Sequence, residues 1–149
     1  MVRLSLAVLA ACIAALAPIP AHAGLFSAKG RVFAIVAGEL FVGEAEGHLN
    51  GAGTLAIHSQ KNPARTCSGK FTSSAEQGGK GEMRCSDGIT ATFQFKRVSV
   101  LKGYGVGKLN RGTMSFAYGF DAGDARLHLK PPKGKKLRQD GDRLELVAA

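Results

Sequence analysis

The sequence contains no tryptophan and only two tyrosines, and aromatic residues make up 7% of the chain. A platform of exposed aromatics for stacking bases is therefore missing, which argues against single-stranded nucleic acid as a partner. Carboxylates are scarce too: eleven Asp and Glu stand against twenty Lys and Arg, for a formal net charge of +9. Cysteine is limited to three residues, with no C-x-x-C for a thioredoxin-like redox centre. None has the close cysteine spacing, with further Cys or His nearby, that structural metal sites use. Beyond residue 23 no apolar pattern keeps a helical period.

Two apparent motifs fail on inspection. In "LKGYGVGKLN" a phosphate loop would need glycine at position 102, which is lysine. It would also need Ser or Thr after Lys108, where Leu109 stands, and a following helix. Asp121, Asp124, Asp140 and Asp142 lack the D-x-D-x-D-G…E order of a calcium loop, and turn chemistry accounts for them. His48, His58 and His128 assemble with no nucleophile and acid into a triad, so each reads as a surface histidine. The expectation is a non-enzyme without metal or cofactor.

What is present begins with "MVRLSLAVLAACIAALAPIPAHA". One cation, Arg3, precedes an apolar run that Pro18 and Pro20 interrupt before it reaches the roughly 20 residues a bilayer needs. It ends on Ala21-His22-Ala23, a small-x-small cleavage pattern. Residues 1–23 are thus predicted to be a removable signal, directing residues 24–149 to the periplasm, outer membrane or exterior. Leu9-Ala10-Ala11-Cys12 resembles a lipobox, but cleavage there would leave apolar residues on the product, so lipidation is disfavoured. Loss of the segment removes Arg3 and Cys12, leaving a charge of +8, two cysteines and a length suited to one domain.

Those cysteines bracket "CSGKFTSSAEQGGKGEMRC". Folded as a hairpin about Glu76, the stretch sets Cys67 against Cys85, Gly69 against Met83, and Phe71 against Gly81. Apolar residues then share one face, and Lys70 meets Glu82 on the other. A slip of one residue would scramble both faces. The pair is predicted to be a cross-strand disulfide, consistent with an oxidising compartment.

The same punctuation recurs. A loop of Leu49-Asn50-Gly51 pairs Ala45 with Leu55 and Gly43 with Ile57, whereas a two-residue turn would bring glutamates onto the apolar face. Ser86-Asp87-Gly88 sets Cys85 against Ile89. By analogy, Asn110-Arg111-Gly112 would set Val106 against Phe116 and Tyr104 against Tyr118, and Gln139-Asp140-Gly141 would precede a last strand. Ala37-Gly38 joins the first two strands tightly. The expected strands are 31–37, 39–47, 52–59, 64–73, 79–85, 89–97, 104–109, 113–120, 125–130 and 142–147. The expected inward set is Phe41, Leu55, Ile57, Phe71, Met83, Ile89, Phe93, Phe95, Val106, Met114, Phe116, Tyr118 and Phe120. An antiparallel all-β meander of eight to ten short strands must hide its edges, by closing as a small barrel or stacking as a sandwich. Glycines inside strands, with Phe71 and Phe93 both lying over Gly81, favour the barrel.

"FVGEAEGHLNGAGTL" and "CSGKFTSSAEQGGKGEM" resemble MORN repeats, glycine-punctuated hairpins of about this period. Residues 41–107 carry the likeness, and only G-x-G persists in the third unit. C-x-G-x-F and C-x-D-G also resemble small exported proteobacterial proteins without assigned activity. The resemblance implies binding or scaffolding rather than catalysis.

One charged feature is left over. "KPPKGKKLRQ" places Lys130, Lys133, Lys135, Lys136 and Arg138 within a basic loop, 130–138. It is either a solvated loop or a patch for an anionic partner. For an exported protein those partners are anionic lipid, lipopolysaccharide, acidic glycan or an envelope protein. The function expected is non-catalytic binding through this loop. The alternatives are a barrel carrying a small apolar ligand against Phe93, Phe95, Phe116 and Tyr118, or a structural envelope scaffold.

Overall fold

A computed structural model describes residues 27–74 and 76–149; the predicted signal 1–23, with Cys12, lies outside them. Eight antiparallel strands follow one another around a closed barrel: β1 (Ser27–Val36), β2 (Glu39–His48), β3 (Ala52–Ser59), β4 (Thr66–Ser74), β5 (Gly78–Cys85), β6 (Thr90–Ser99), β7 (Lys102–Leu109) and β8 (Gly112–Tyr118). Closure comes from β8 pairing back onto β1, with Phe33 opposite Ala117. A second, two-stranded ribbon follows: β9 (Lys135–Asp140) and β10 (Arg143–Ala148).

The turn chemistry explains the registers. Ala37 and Gly38 both hold positive φ, 50° and 81°, as a two-residue turn between Val36 and Glu39 requires. Gly51 takes φ 84° at the end of the loop after His48, and Ala45 meets Leu55 as expected. In the β4–β5 hairpin Cys67 is paired with Cys85, Lys70 with Glu82 and Phe71 with Gly81. The Cys67–Cys85 disulfide is formed. Gly88, at φ 88°, ends the Ser86–Gly88 loop, and the Cys85 N–H donates to the Ile89 carbonyl.

Three expectations fail, each for a physical reason. The β7–β8 turn contains two residues, since Leu109 pairs with Gly112; Gly105 thus faces Phe116, and Val106 faces Ser115. Val106 points outward and is 48% exposed. The shift gives the inward row of β7 to Gly103, Gly105 and Gly107, leaving room for large side chains from both neighbouring strands. Phe93 and Phe116 meet edge to face at 5.3 Å, and Phe95 and Tyr118 at 5.7 Å. Likewise the β9–β10 turn is Gly141-Asp142, with glycine (φ 61°) first and Arg143 opposite Asp140.

The third failure is the strand expected at 125–130. Ala122–Ala125 is a helical turn, α1, continued by a 3-10 turn at Arg126–His128. Asp121 caps it, accepting from the Asp124 N–H at 2.8 Å. Ala122, Ala125 and Leu129 recur at helical spacing and are buried. One packing expectation also changes: the Phe71 ring lies over Gly53, while Phe93 covers Gly81.

There are two cores. Inside the barrel lie Val32, Val36, Phe41, Ile57, Cys67, Met83, Phe93, Phe95, Met114 and Phe116. Outside it, Phe33, Ile35, Leu40 and Ala117 are covered by Phe120, α1, Leu129 and Leu144 of the ribbon. That second layer explains why "RVFAIV" is apolar at every position after Arg31, since β1 buries both faces. It also holds Phe120, which packs outside the barrel rather than within it.

Candidate functional site

The two ends of the barrel differ. At one end the loops tie together: Arg65 pairs with Glu39 at the start of β2 and with Asp87 in the β5–β6 loop, the latter at 2.7 Å. The Ser59 hydroxyl donates to Glu39, and the guanidinium sits 5.6 Å from the centre of the Phe41 ring. The Arg65 hydrogen bond, helped by the Ile89 N–H, holds the Asp87 carboxyl below the ordinary carboxylate range. The same bond to Asp87 raises the Arg65 pKa further, against a smaller opposing effect of burial. Beneath this network Val36, Phe41, Ile57, Cys67 and Met83 are buried.

The other end opens into a cavity of about 620 Å³. Its origin can be read strand by strand. The inward positions of β1 and β2 there are mostly small: Gly30 and Ala34 flank Val32 on β1, and Ala45 and Gly47 lie on β2. The rest of the lining carries rings: Phe71 on β4, Phe93 and Phe95 on β6, and Phe116 and Tyr118 on β8, where Phe116 is the strand partner of Ala34 and Tyr118 of Val32. Eight strands enclose just enough room to be filled by side chains or to hold one small ligand. Here the Gly and Ala positions leave the space open. The volume is in the range of pockets for small molecules, and the lining is mainly apolar.

Polar groups collect near the mouth. Tyr118 is half-buried, and burial raises its phenol pKa while the nearby Arg97 charge opposes the shift. The phenol is therefore neutral at physiological pH and available as a hydrogen-bond donor. His48, Lys29 and Arg97 also line the opening, with Leu49, Val100 and Leu101. Lys29 is paired with Glu44 at 3.4 Å, and Arg97 donates to the Val100 carbonyl at 2.7 Å. All four cavity residues anticipated from sequence, Phe93, Phe95, Phe116 and Tyr118, line it together. Val32, Ala34 and Ala45 escape the sequence reading; small inward residues on β1 and β2 are the signal that could have found them.

The basic segment has a different form from the loop expected. Only the stretch up to Gly134 is loop, and Lys135, Lys136 and Arg138 belong to β9. Strand alternation sends Lys136 and Arg138 to one face and Lys135 to the other, beside Leu137. The Lys130 N–H donates to the buried Ser115 hydroxyl at 2.8 Å, which anchors the loop to β8. All five side chains are exposed. Among the described residues, Arg138 alone of the five forms an ion pair, with Glu145.

His128 is not a free surface residue: it stacks on Tyr104 at 4.2 Å and contacts Phe120 at 4.9 Å. Among the described residues no group of three or more His, Cys, Asp or Glu is placed to hold a metal ion. No helix among them is long and apolar enough to cross a membrane. The outer faces of β4–β6 carry Lys70, Thr72, Lys80, Glu82, Arg84, Thr92 and Gln94 around an apolar interior. This polarity is the inverse of a membrane-spanning barrel. The chain matches no protein-family model, no curated protein and no solved structure.

Proposed function

We propose that the protein is a non-catalytic carrier that holds one small apolar or amphiphilic molecule inside its barrel. The observation that supports this reading is the apolar cavity of about 620 Å³ at one end of the barrel. An apolar ligand there would displace water from the aromatic wall. A polar head would lie at the mouth, near Tyr118, Arg97 and His48. The firmly tied far end would keep the interior from collapsing on an empty cavity.

The test is a titration with the fluorescent probe 1-anilinonaphthalene-8-sulfonate, followed by mass spectrometry of any small molecule extracted from the purified protein. Saturable one-to-one binding is expected. Ala45→Phe, which projects a ring into the cavity, should weaken it about tenfold or more while circular dichroism stays that of the parent. Val106→Ser, on the outer face, should leave it unchanged. No saturable binding, or equal binding by Ala45→Phe, rejects the carrier reading.

A second reading is supported by the exposed and largely unpaired cations at 130–138: contact with an anionic component of the cell envelope. In either reading the signal-like residues 1–23 would deliver the protein to the oxidising compartment that its disulfide suits. Salt-titrated binding to lipopolysaccharide, with the five cations changed to Gln or Ser, tests the second. Equal binding by parent and variant removes it.

A further inference from the structure

The corner between β6 and β7 reads Lys96-Arg97-Val98-Ser99-Val100-Leu101-Lys102, three cations and three large aliphatic residues with no carboxylate among them. A folded corner normally turns such aliphatic side chains inward. Here Val98 is 59% exposed, Val100 77% and Leu101 55%. A register irregularity between Arg97 and Ser99 lets the strand end project in this way. Across the opening, Leu49 at the tip of the β2–β3 loop is 81% exposed. Leu49, Val100 and Leu101 line the same cavity mouth, so they surround one opening rather than being scattered singly over the surface.

We infer that this rim is a docking surface for an anionic lipid bilayer. The geometry is that of an interfacial anchor: apolar tips ahead of a ring of cations. Val100, Leu101 and Leu49 enter the boundary between headgroups and acyl chains. Lys96 and Lys102, both exposed, sit one step behind at the level of the lipid phosphates. The Lys102 ammonium lies 5.7 Å from the Phe120 ring centre, which steadies its position. Acidic residues near this end are on other elements: Glu44, paired with Lys29, and Glu46 on β2, Glu76 in the β4–β5 turn, Asp121 next to Phe120, and Asp142 of the β9–β10 turn, 3.8 Å from Arg31. The β6–β7 corner, where the mouth is most apolar, thus carries cations and no carboxylate of its own, which complements an anionic bilayer and not a neutral one. Docked this way, the cavity opens directly toward the bilayer.

The docking stands on the rim residues, whereas the carrier reading stands on the cavity wall, so the two can fail separately. The experiment is co-sedimentation of the full chain with vesicles of mixed phosphatidylcholine and phosphatidylglycerol, beside vesicles of phosphatidylcholine alone. Binding is expected to the mixed vesicles and not to the neutral ones. Val100→Asp combined with Leu101→Asp should reduce it about tenfold or more, and Lys96→Gln and Lys102→Gln about fivefold each. These positions are exposed, so circular dichroism should match the parent for all the variants, and Lys96→Gln and Lys102→Gln, which lie off the cavity lining, should also leave the fluorescent-probe titration unchanged. Soluble glycerol phosphate should not compete, because a headgroup without its chains offers no boundary to enter. Equal binding by the rim variants overturns the inference. So does loss of binding only when the cations at 130–138 are removed, which assigns the contact to the other basic segment. A dimer that the Asp substitutions dissociate, in a protein that ignores vesicles, assigns the rim to a second copy and overturns it as well.

Discussion

A methyl group at position 105 tests the packing that shapes the cavity wall. Gly105 lies between Phe95 on β6 and Phe116 on β8. A Cβ placed there would stand 2.7 Å from the tip of the Phe116 ring and 2.8 Å from the Phe95 Cα, and closer still to the Gln94 carbonyl oxygen. Two of these three obstacles are backbone, and the third is a ring already wedged against Phe93. Relief requires separating β6 from β7, so Gly105→Ala should cost about 1–3 kcal/mol, the usual range for overpacking. The entropic benefit of replacing glycine, roughly 0.5–1 kcal/mol, does not cancel it. Gly107 is the control two residues along. Its added methyl would meet the Cγ and Sδ of Met114, at 2.7 and 2.9 Å, which can rotate away. It would also meet one backbone atom, the Thr92 carbonyl oxygen, at 2.8 Å, farther off than the Gln94 oxygen is from a Cβ at 105. Gly107→Ala should therefore cost less than Gly105→Ala, about 1 kcal/mol or below once the entropic term is included. Urea unfolding of the oxidised protein, followed by far-ultraviolet circular dichroism because tryptophan is absent, measures both. Shortening the ring with Phe116→Leu should make Gly105→Ala less costly in a double-mutant cycle. If Gly105→Ala unfolds with the parent, or Gly107→Ala proves the worse of the two, the ring-over-glycine account of this wall is wrong.

Reducing the Cys67–Cys85 bridge, or removing it by combining Cys67→Ala with Cys85→Ala, should cost about 3 kcal/mol, read as a lower urea midpoint; an unchanged midpoint would show that the strand pairing alone constrains the chain. Ala37 holds a left-handed conformation and is exposed, so Ala37→Asn, which suits that turn, should stabilise by about 0.5–1 kcal/mol in the same assay. The depressed Asp87 carboxyl gives a pH signature. A group whose folded pKa is lowered contributes stability above its unfolded value, and that contribution disappears as pH falls through the folded value. Parent stability should therefore drop more steeply below about pH 4 than that of Asp87→Asn, and superimposable acid limbs would remove Asp87 from the closing network.

Local chemistry carries much of this architecture. The β4–β5 register follows from two cysteines, one alternation and one opposite-charge pair, all within nineteen residues. The loops ending in Gly51 and Gly88 are legible because polar-side glutamates or cysteines at their flanks make any other register unfavourable. The loop before Phe116 is not, because its flanking strand, Gly103 to Gly107, carries glycine at alternate positions. A glycine row gives no inside or outside signal of its own, so sequence alone turns Val106 inward. The helical turn at 122–125 is too short to establish a period, and its capping Asp121 looks like a turn residue, which in part it is.

What the amino-acid order determined unaided was the run of hairpins from β1 to β6, with their turns, and which thiols meet, because each depends on neighbours within about twenty residues. Whether the interior would be full depended on the closure itself. Only when β8 returns to β1 do the small residues of β1 and β2 share one interior with the rings of β4, β6 and β8, and the space they leave belongs to no single segment. The rim arises in the same way: Leu49 and Leu101 are some fifty residues apart in the chain and share one opening because the barrel brings their corners to the same end.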